Sequence, residues 1–249
     1  LSLASGNVTT TAGSADVTAL DWSGGNLNGK VKATGSASFS GGAKTIGSLG
    51  ELTLCGTLTT TGVGTLTNQG KLIKQGAGTT TELATIFDST GTLSTESGTL
   101  KLSGGGRSSG NVSVGAGGKL DVASNYTFEN ATLSGAGDIE LTAATTKFKN
   151  STGSGKVSVN GGNLDFDGTL STLGTLSLAS GNVTTTAGSA DVTALEWSGG
   201  NLNGKVKATG SASFSGGAKT IGSLGELTLG GTLTTTGVGT LTNQGKLIK

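Results

Sequence analysis

Two carboxylates, Asp165 and Asp167, flank Phe166 in the run Leu164-Asp165-Phe166-Asp167-Gly168. Alternate residues of a strand share a face and lie ~6.6 Å apart at the backbone. That separation would suit an inverting glycosidase pair or two ligands of a calcium ion. The surrounding sequence supplies none of the aromatic and basic residues that wall a sugar cleft. The pair therefore reads as outward, solvated surface acids. Histidine is absent altogether, which removes the commonest general base, proton shuttle and zinc ligand together. Ser-His-Asp and Cys-His chemistry cannot be assembled within this chain.

The other residues of chemical interest have structural readings. Trp22 and Trp197 are the only tryptophans. Alternation in Leu20-Asp21-Trp22 turns the indole toward the same side as Leu20, so packing is expected rather than sugar stacking. Thr9-Thr10-Thr11, Thr59-Thr60-Thr61 and Thr79-Thr80-Thr81 could belong to an ice-binding face only if Thr-x-Thr recurred on every turn, and it does not. They read as strand formers. Asn-x-Ser/Thr sequons occur at Asn7, Asn111, Asn125, Asn130, Asn150 and Asn182; Asn stacked at chain corners is the expected role. Cys55, the single cysteine, has no intramolecular partner, and alternation in Leu52-Thr53-Leu54-Cys55 places it outward or at a corner. No catalytic, metal-ligating or cofactor-binding residue is assigned.

The elements that would carry these residues follow from composition and period. Of 249 residues 48 are Gly, with no Pro, no Met and 4% aromatics. Gly follows no three-residue period, which excludes collagen. Sixteen Lys plus Arg against fifteen Asp plus Glu leave a net charge of +1 and only one arginine, Arg107. No basic, aromatic-interleaved patch for nucleic acid results. No apolar run reaches the ~20 residues of a membrane-spanning helix. Residues 1–74 recur as 176–249, with two differences: Asp21 becomes Glu196, and Cys55 becomes Gly230. The chain is thus a 175-residue unit plus the start of another, expected to be one continuous segment, 1–249, of a longer array.

Within the unit, triplets such as Leu100-Lys101-Leu102, Leu120-Asp121-Val122, Ile139-Glu140-Leu141, Val157-Ser158-Val159 and Leu176-Ser177-Leu178 alternate apolar and polar residues. Each predicts a half-buried strand. Their first residues step by 18 to 20, and the series extends to Leu195, Phe214 and Leu233 and back to Leu58, Phe39, Leu20 and Leu1. Only the stretch near Thr79–Leu83 lacks a clean member. Gly- and Asn-rich corners separate the strands. The expected fold is all-β, a parallel β-solenoid of about 19 residues per turn, with nine turns per unit. Its predicted core comprises Leu1, Leu20, Trp22, Phe39, Leu58, Leu100, Leu120, Ile139, Val157, Leu176, Leu195, Trp197, Phe214 and Leu233. Turns stacked at ~4.8 Å would advance about 43 Å per unit.

The runs Trp22-Ser23-Gly24-Gly25-Asn26-Leu27-Asn28-Gly29 (again at 197–204), Gly98-Thr99-Leu100-Lys101-Leu102-Ser103-Gly104-Gly105-Gly106 and Gly118-Lys119-Leu120-Asp121-Val122 resemble parallel β-helix repeats of giant bacterial surface adhesins, of the filamentous-haemagglutinin and autotransporter-passenger types. The resemblance implies a right-handed helix and an extracellular, cell-surface setting, and it assigns no active residue. The expected role is non-enzymatic: the rigid shaft of a surface filament, used in attachment or as a spacer. Expected partners are adjacent repeats, other copies joined end to end or laterally, and a host-cell or surface polysaccharide, with no nucleic acid and no membrane insertion. The alternative is a carbohydrate- or ice-binding solenoid with an active Thr-rich face.

Overall fold

The computed structural model describes residues 1–10, 13–62, 64–169, 171–237 and 239–249. Among these residues every regular element is a β-strand, and every registered pairing is parallel. Two compact units result, Leu1–Asp121 and Val122–Lys249. Each is a parallel β-solenoid with three strand segments per turn. Alternation explains the burial: residues at every second position enter the interior and stack on equivalents one turn away.

In the first unit, three inward ladders are Leu3–Trp22–Phe39, Val8–Leu27–Ile46–Asn68–Ser89–Ser108 and Val31–Leu52–Leu72–Leu93. The second of these turns from aliphatic to polar without leaving the interior, since Asn68, Ser89 and Ser108 are all buried. Thr80–Leu83, where the triplet series lapses, is nonetheless a strand. It puts buried Thr81 and Leu83 beside Leu100 and Leu102.

In the second unit, Ile139–Val157–Leu176–Leu195–Ala212–Leu233 forms one inward ladder. A second carries Phe128, Phe148 and Phe166 on successive turns. Phe128 and Phe148 stack with centroids 4.9 Å apart and planes 11° apart, and Phe166 follows at 6.2 Å. The third runs Ser171–Ala190–Val206–Leu227–Leu247.

The turns are not uniform. Ala190 pairs with Val206 in a short turn, whereas Lys219 pairs with Leu241 in a long one. A constant step along the chain therefore misplaces one part of the series. Leu20 lies beside Ala37, not Phe39; Phe39 lies beside Trp22, and Leu58 beside Ala37. The turn itself is short, with Val17 beside Ala33, and the extra residue that the strand Lys30–Ser40 carries at the register shift between Val17 and Ala19 makes up only part of the difference. The second copy behaves alike, with Trp197 beside Phe214 and Leu233 beside Ala212.

Leu20, Trp22, Phe39, Leu100, Leu120, Ile139, Val157, Leu176, Leu195, Trp197 and Phe214 lie in the interior. Three residues of the expected core are not fully buried. Leu1 is 43% and Leu233 40% exposed, because each has a neighbouring turn on one side only. Leu58, beside Ala37 in its ladder, is half-buried. The corners need special backbone. Asn130 and Asn150 hold φ at 53° and 52°, a left-handed conformation that Asn tolerates better than most residues. At Gly25, with φ of 92°, a Cβ would lie 2.6 Å from the Gly6 carbonyl oxygen of the neighbouring turn, so the close approach also demands glycine.

Candidate functional sites

Asp165 and Asp167 share a strand, Lys156–Asp167, but their surroundings differ from open solvent. Asp165 is only 5% exposed. Its carboxylate accepts hydrogen bonds from the Thr186 backbone N–H at 2.9 Å, the Thr186 hydroxyl at 2.7 Å and the Thr184 hydroxyl at 3.3 Å. The Lys147 ammonium lies 3.6 Å from Asp165 and 3.5 Å from Asp167, bridging the two. The expectation of two solvated acids is thus corrected at Asp165. Phe166 pairs with Thr185 while Asp167 pairs with Ala187, so Thr186 is the extra residue of a β-bulge. A bulged residue is left unpaired in the ladder; here the Asp165 carboxylate satisfies it. The carboxylate is a clamp on the neighbouring strand.

The tryptophans occupy equivalent interior positions. Trp22 donates its indole N–H to the Gly24 carbonyl at 3.1 Å, and Trp197 donates to Gly199 at 2.9 Å. Each ring meets a phenylalanine edge-on: Trp22–Phe39 at 5.4 Å and 86°, Trp197–Phe214 at 5.3 Å and 83°. Neither indole offers a face to a sugar.

Two kinds of lysine position enter the interior, which residue type alone argues against. Lys44 is buried, as is its counterpart Lys219, and their ammonium groups donate to the Gly42 and Gly217 carbonyls, each at 2.8 Å. Burial pushes the Lys44 ammonium below its ordinary pKa. Lys74 is fully buried between Leu54 and Thr95 in its ladder. It donates to the Thr79 hydroxyl at 2.6 Å and to the Gln75 carbonyl. Burial lowers its pKa too, and neighbouring Cys55 partly opposes that shift. The signal available for Lys74 was its place in Lys71-Leu72-Ile73-Lys74, two residues after inward Leu72.

Cys55 is half-buried, and its thiol points to the Gln75 side-chain oxygen at 3.8 Å. Gln75 in turn donates to Glu96 at 2.9 Å. Gln75 and Glu96 form one wall of an axial trough of about 300 Å³ in the first unit, with Lys30, Glu51 and Lys71 in ladder register along the other. Thr53 and Ile73 form its floor, outward by alternation yet buried under the long wall side chains. The second unit repeats the feature with Lys205, Lys207, Glu226 and Thr228, and there Lys246 lies 3.8 Å from Glu226. Cation, anion and cation alternate along the wall, so cross-strand pairing offsets most of its field.

Asn stacking takes two forms. The Asn26 amide donates to Asn7 at 2.9 Å and the Asn201 amide to Asn182 at 3.0 Å. At the corners, the Asn150 side-chain oxygen accepts from the Thr169 backbone N–H at 2.9 Å. Of the Thr runs, Thr11 lies outside the described residues. Thr10 accepts from the Lys30 backbone N–H at 3.0 Å, Thr59 and Thr61 ladder with Ser38 and Ser40, and Thr79 donates to the Gly76 carbonyl at 2.7 Å. Thr81 is inward and donates to the Gly56 carbonyl at 2.8 Å. Outward lysines pair with acids one or two turns away. Glu129 hydrogen-bonds Lys149 at 2.8 Å and raises its pKa, and Glu196 does the same for Lys156 at 2.9 Å. Among the described residues no group of three or more Cys, Asp or Glu could hold a metal ion.

Compared with protein-family profiles, with curated protein sequences and with solved structures, the chain gives no match.

Proposed function

We propose that this chain is a structural repeat, the shaft of a long extracellular bacterial surface filament, serving attachment as a spacer. One observation carries the reading. The recurring 74-residue block builds the same local structure in both units, down to the Trp–Phe edge contact, the paired Asn residues and the inward lysine. Its distinctive side chains are engaged with neighbouring turns. Reach would then depend on how many turns separate anchor and tip, and hardly on which side chains face out.

The experiment compares cells displaying one or two full repeat units between a fixed anchor and a fixed tip. Each additional unit should lengthen the filament by about 43 Å in electron micrographs, at ~4.8 Å per turn. Replacing outward Thr59, Thr61, Thr234 and Thr236 with Ala should leave attachment unchanged. Loss of attachment at normal length and normal folding would sink the spacer reading and favour a binding face.

A further inference from the structure

Asn-Gly occurs three times in the sequence, at Asn28-Gly29, Asn160-Gly161 and Asn203-Gly204. This dipeptide can react with itself. The glycine nitrogen attacks the asparagine Cγ to close a five-membered ring, and no glycine Cβ hinders the approach. The backbone must swing out of its ladder for the ring to close. Local structure therefore decides which of the three is reactive.

Two are held shut. Asn28 and Asn203 are half-buried, and the glycines that follow them are buried. The side-chain oxygen of Asn28 fills the space where a Cβ on Gly47 would lie, and that of Asn203 does the same at Gly222. The Asn28 backbone N–H donates to the Val8 carbonyl at 2.8 Å, and the Gly29 carbonyl accepts from the Glu51 N–H at 2.9 Å. Gly204 likewise accepts from Glu226 at 3.0 Å, and Asn203 stands in ladder register with Thr184. Both dipeptides are bonded to neighbouring turns.

The third is open. Asn160 and Gly161 are both exposed. Toward the preceding turn, the ladder of the strand Lys156–Asp167 stops at Val159, opposite Leu141, and resumes at Asn163, opposite Thr145. Toward the following turn, Asn160 sits opposite Ser180 between two register shifts, and pairing resumes where Asn163 meets Asn182. Gly161 thus has no ladder partner on either side. Its φ of 129° lies in a region that glycine enters freely. The Asn160 side-chain amide donates to the Glu140 carboxylate, a hydrogen bond at the surface.

We infer that Asn160-Gly161 is a self-modification site, converting to aspartate or isoaspartate in the folded chain with water as co-reactant. In the first step a bond forms between the Gly161 nitrogen and the Asn160 Cγ while the Cγ–Nδ2 bond breaks. The Gly161 N–H proton leaves with the amide nitrogen as ammonia, and a cyclic imide remains. Water then adds to one imide carbonyl and breaks its bond to nitrogen, the hydroxyl staying on carbon and a proton returning to the Gly161 nitrogen. Opening at the Cγ carbonyl gives aspartate. Opening at the main-chain carbonyl gives isoaspartate, with the backbone routed through the side chain. Either product sets a carboxylate against Glu140 where an amide donor stood, so attraction between two turns becomes like-charge repulsion. The inference does not rest on the spacer reading.

The test incubates the whole chain in mildly alkaline buffer, once folded and once unfolded in guanidinium chloride. Mass spectrometry of the three Asn-Gly peptides reads replacement of the amide by a carboxyl, and chromatographic retention separates isoaspartate from aspartate. Unfolded, the three dipeptides should react at similar rates. Folded, Asn160 should react about tenfold or more faster than Asn28 and Asn203, because those two must wait for local opening of the ladder. Asn160→Gln, checked for normal folding by circular dichroism, has a longer side chain that closes its ring less readily. It should abolish the fast release of ammonia and leave the rates at Asn28 and Asn203 unchanged. A folded chain in which Asn160 reacts no faster than the other two overturns the inference. So does fast ammonia release that persists in Asn160→Gln.

Discussion

Asp165 shows how much a single side chain can hold in a stacked fold. Its alternation phase points outward, which the sequence makes plain. Its burial comes from Thr184 and Thr186 on the following turn, and from Lys147 on the preceding one. No local window contains those neighbours. The carboxylate supplies charge-assisted acceptors for a bulge whose N–H has no ladder partner. Asp165→Ala should therefore destabilise the chain by about 2–3 kcal/mol, the scale of hydrogen bonds to a charged group. Asp165→Asn should cost less, because an amide oxygen can still accept from the Thr186 N–H. Urea unfolding followed by circular dichroism makes the measurement. Equal, negligible effects of both substitutions would mean the bulge does not depend on the clamp.

At the scale of one turn, strand type and inward phase were readable because the period of two is local: Ile139, Val157 and Leu176 each announce themselves within three residues. Turn length was not, because it is set where corners differ. Unequal turns put Phe39 over Trp22, where a constant step of 19 would put it over Leu20. The polar interior of the first unit escaped for a related reason, since Asn68 and Lys74 keep an apolar neighbour's phase with an unfavourable residue type. A turn is also the natural cooperative element, and Phe148 is its best probe. It lies between Phe128 and Phe166 on adjacent turns. Phe148→Ala should cost about 3–5 kcal/mol through lost burial and the cavity left behind. Amide exchange should then speed up most in Thr145–Lys149 and the strands it ladders with. A protection loss spread evenly over the whole chain would argue against turn-by-turn stacking.

Across the whole molecule the long repeat imposes internal controls. Trp22 and Trp197 have nearly identical neighbours, so they should share one emission spectrum. Removing either, as Trp22→Phe or Trp197→Phe, should halve the native intensity without moving its maximum. A shift on removing one but not the other would show that the two copies do not settle into the same packing. The repeat itself was the most legible feature of the sequence. It could not disclose that identical leucines would be sealed at 66 and 72 but open at 241 and 247, since that depends on what lies on the next turn.

The paired asparagines, the inward lysine and the Trp–Phe contact recur one full unit later with the same partners. For a gene encoding such an array, this makes recombination unusually safe. Misalignment by one whole unit during unequal crossing-over would add or remove that unit while returning every side chain at the junction to a neighbour of the kind it had before. Alleles differing in copy number would then differ in length alone, and length could respond to selection without passing through a misfolded intermediate.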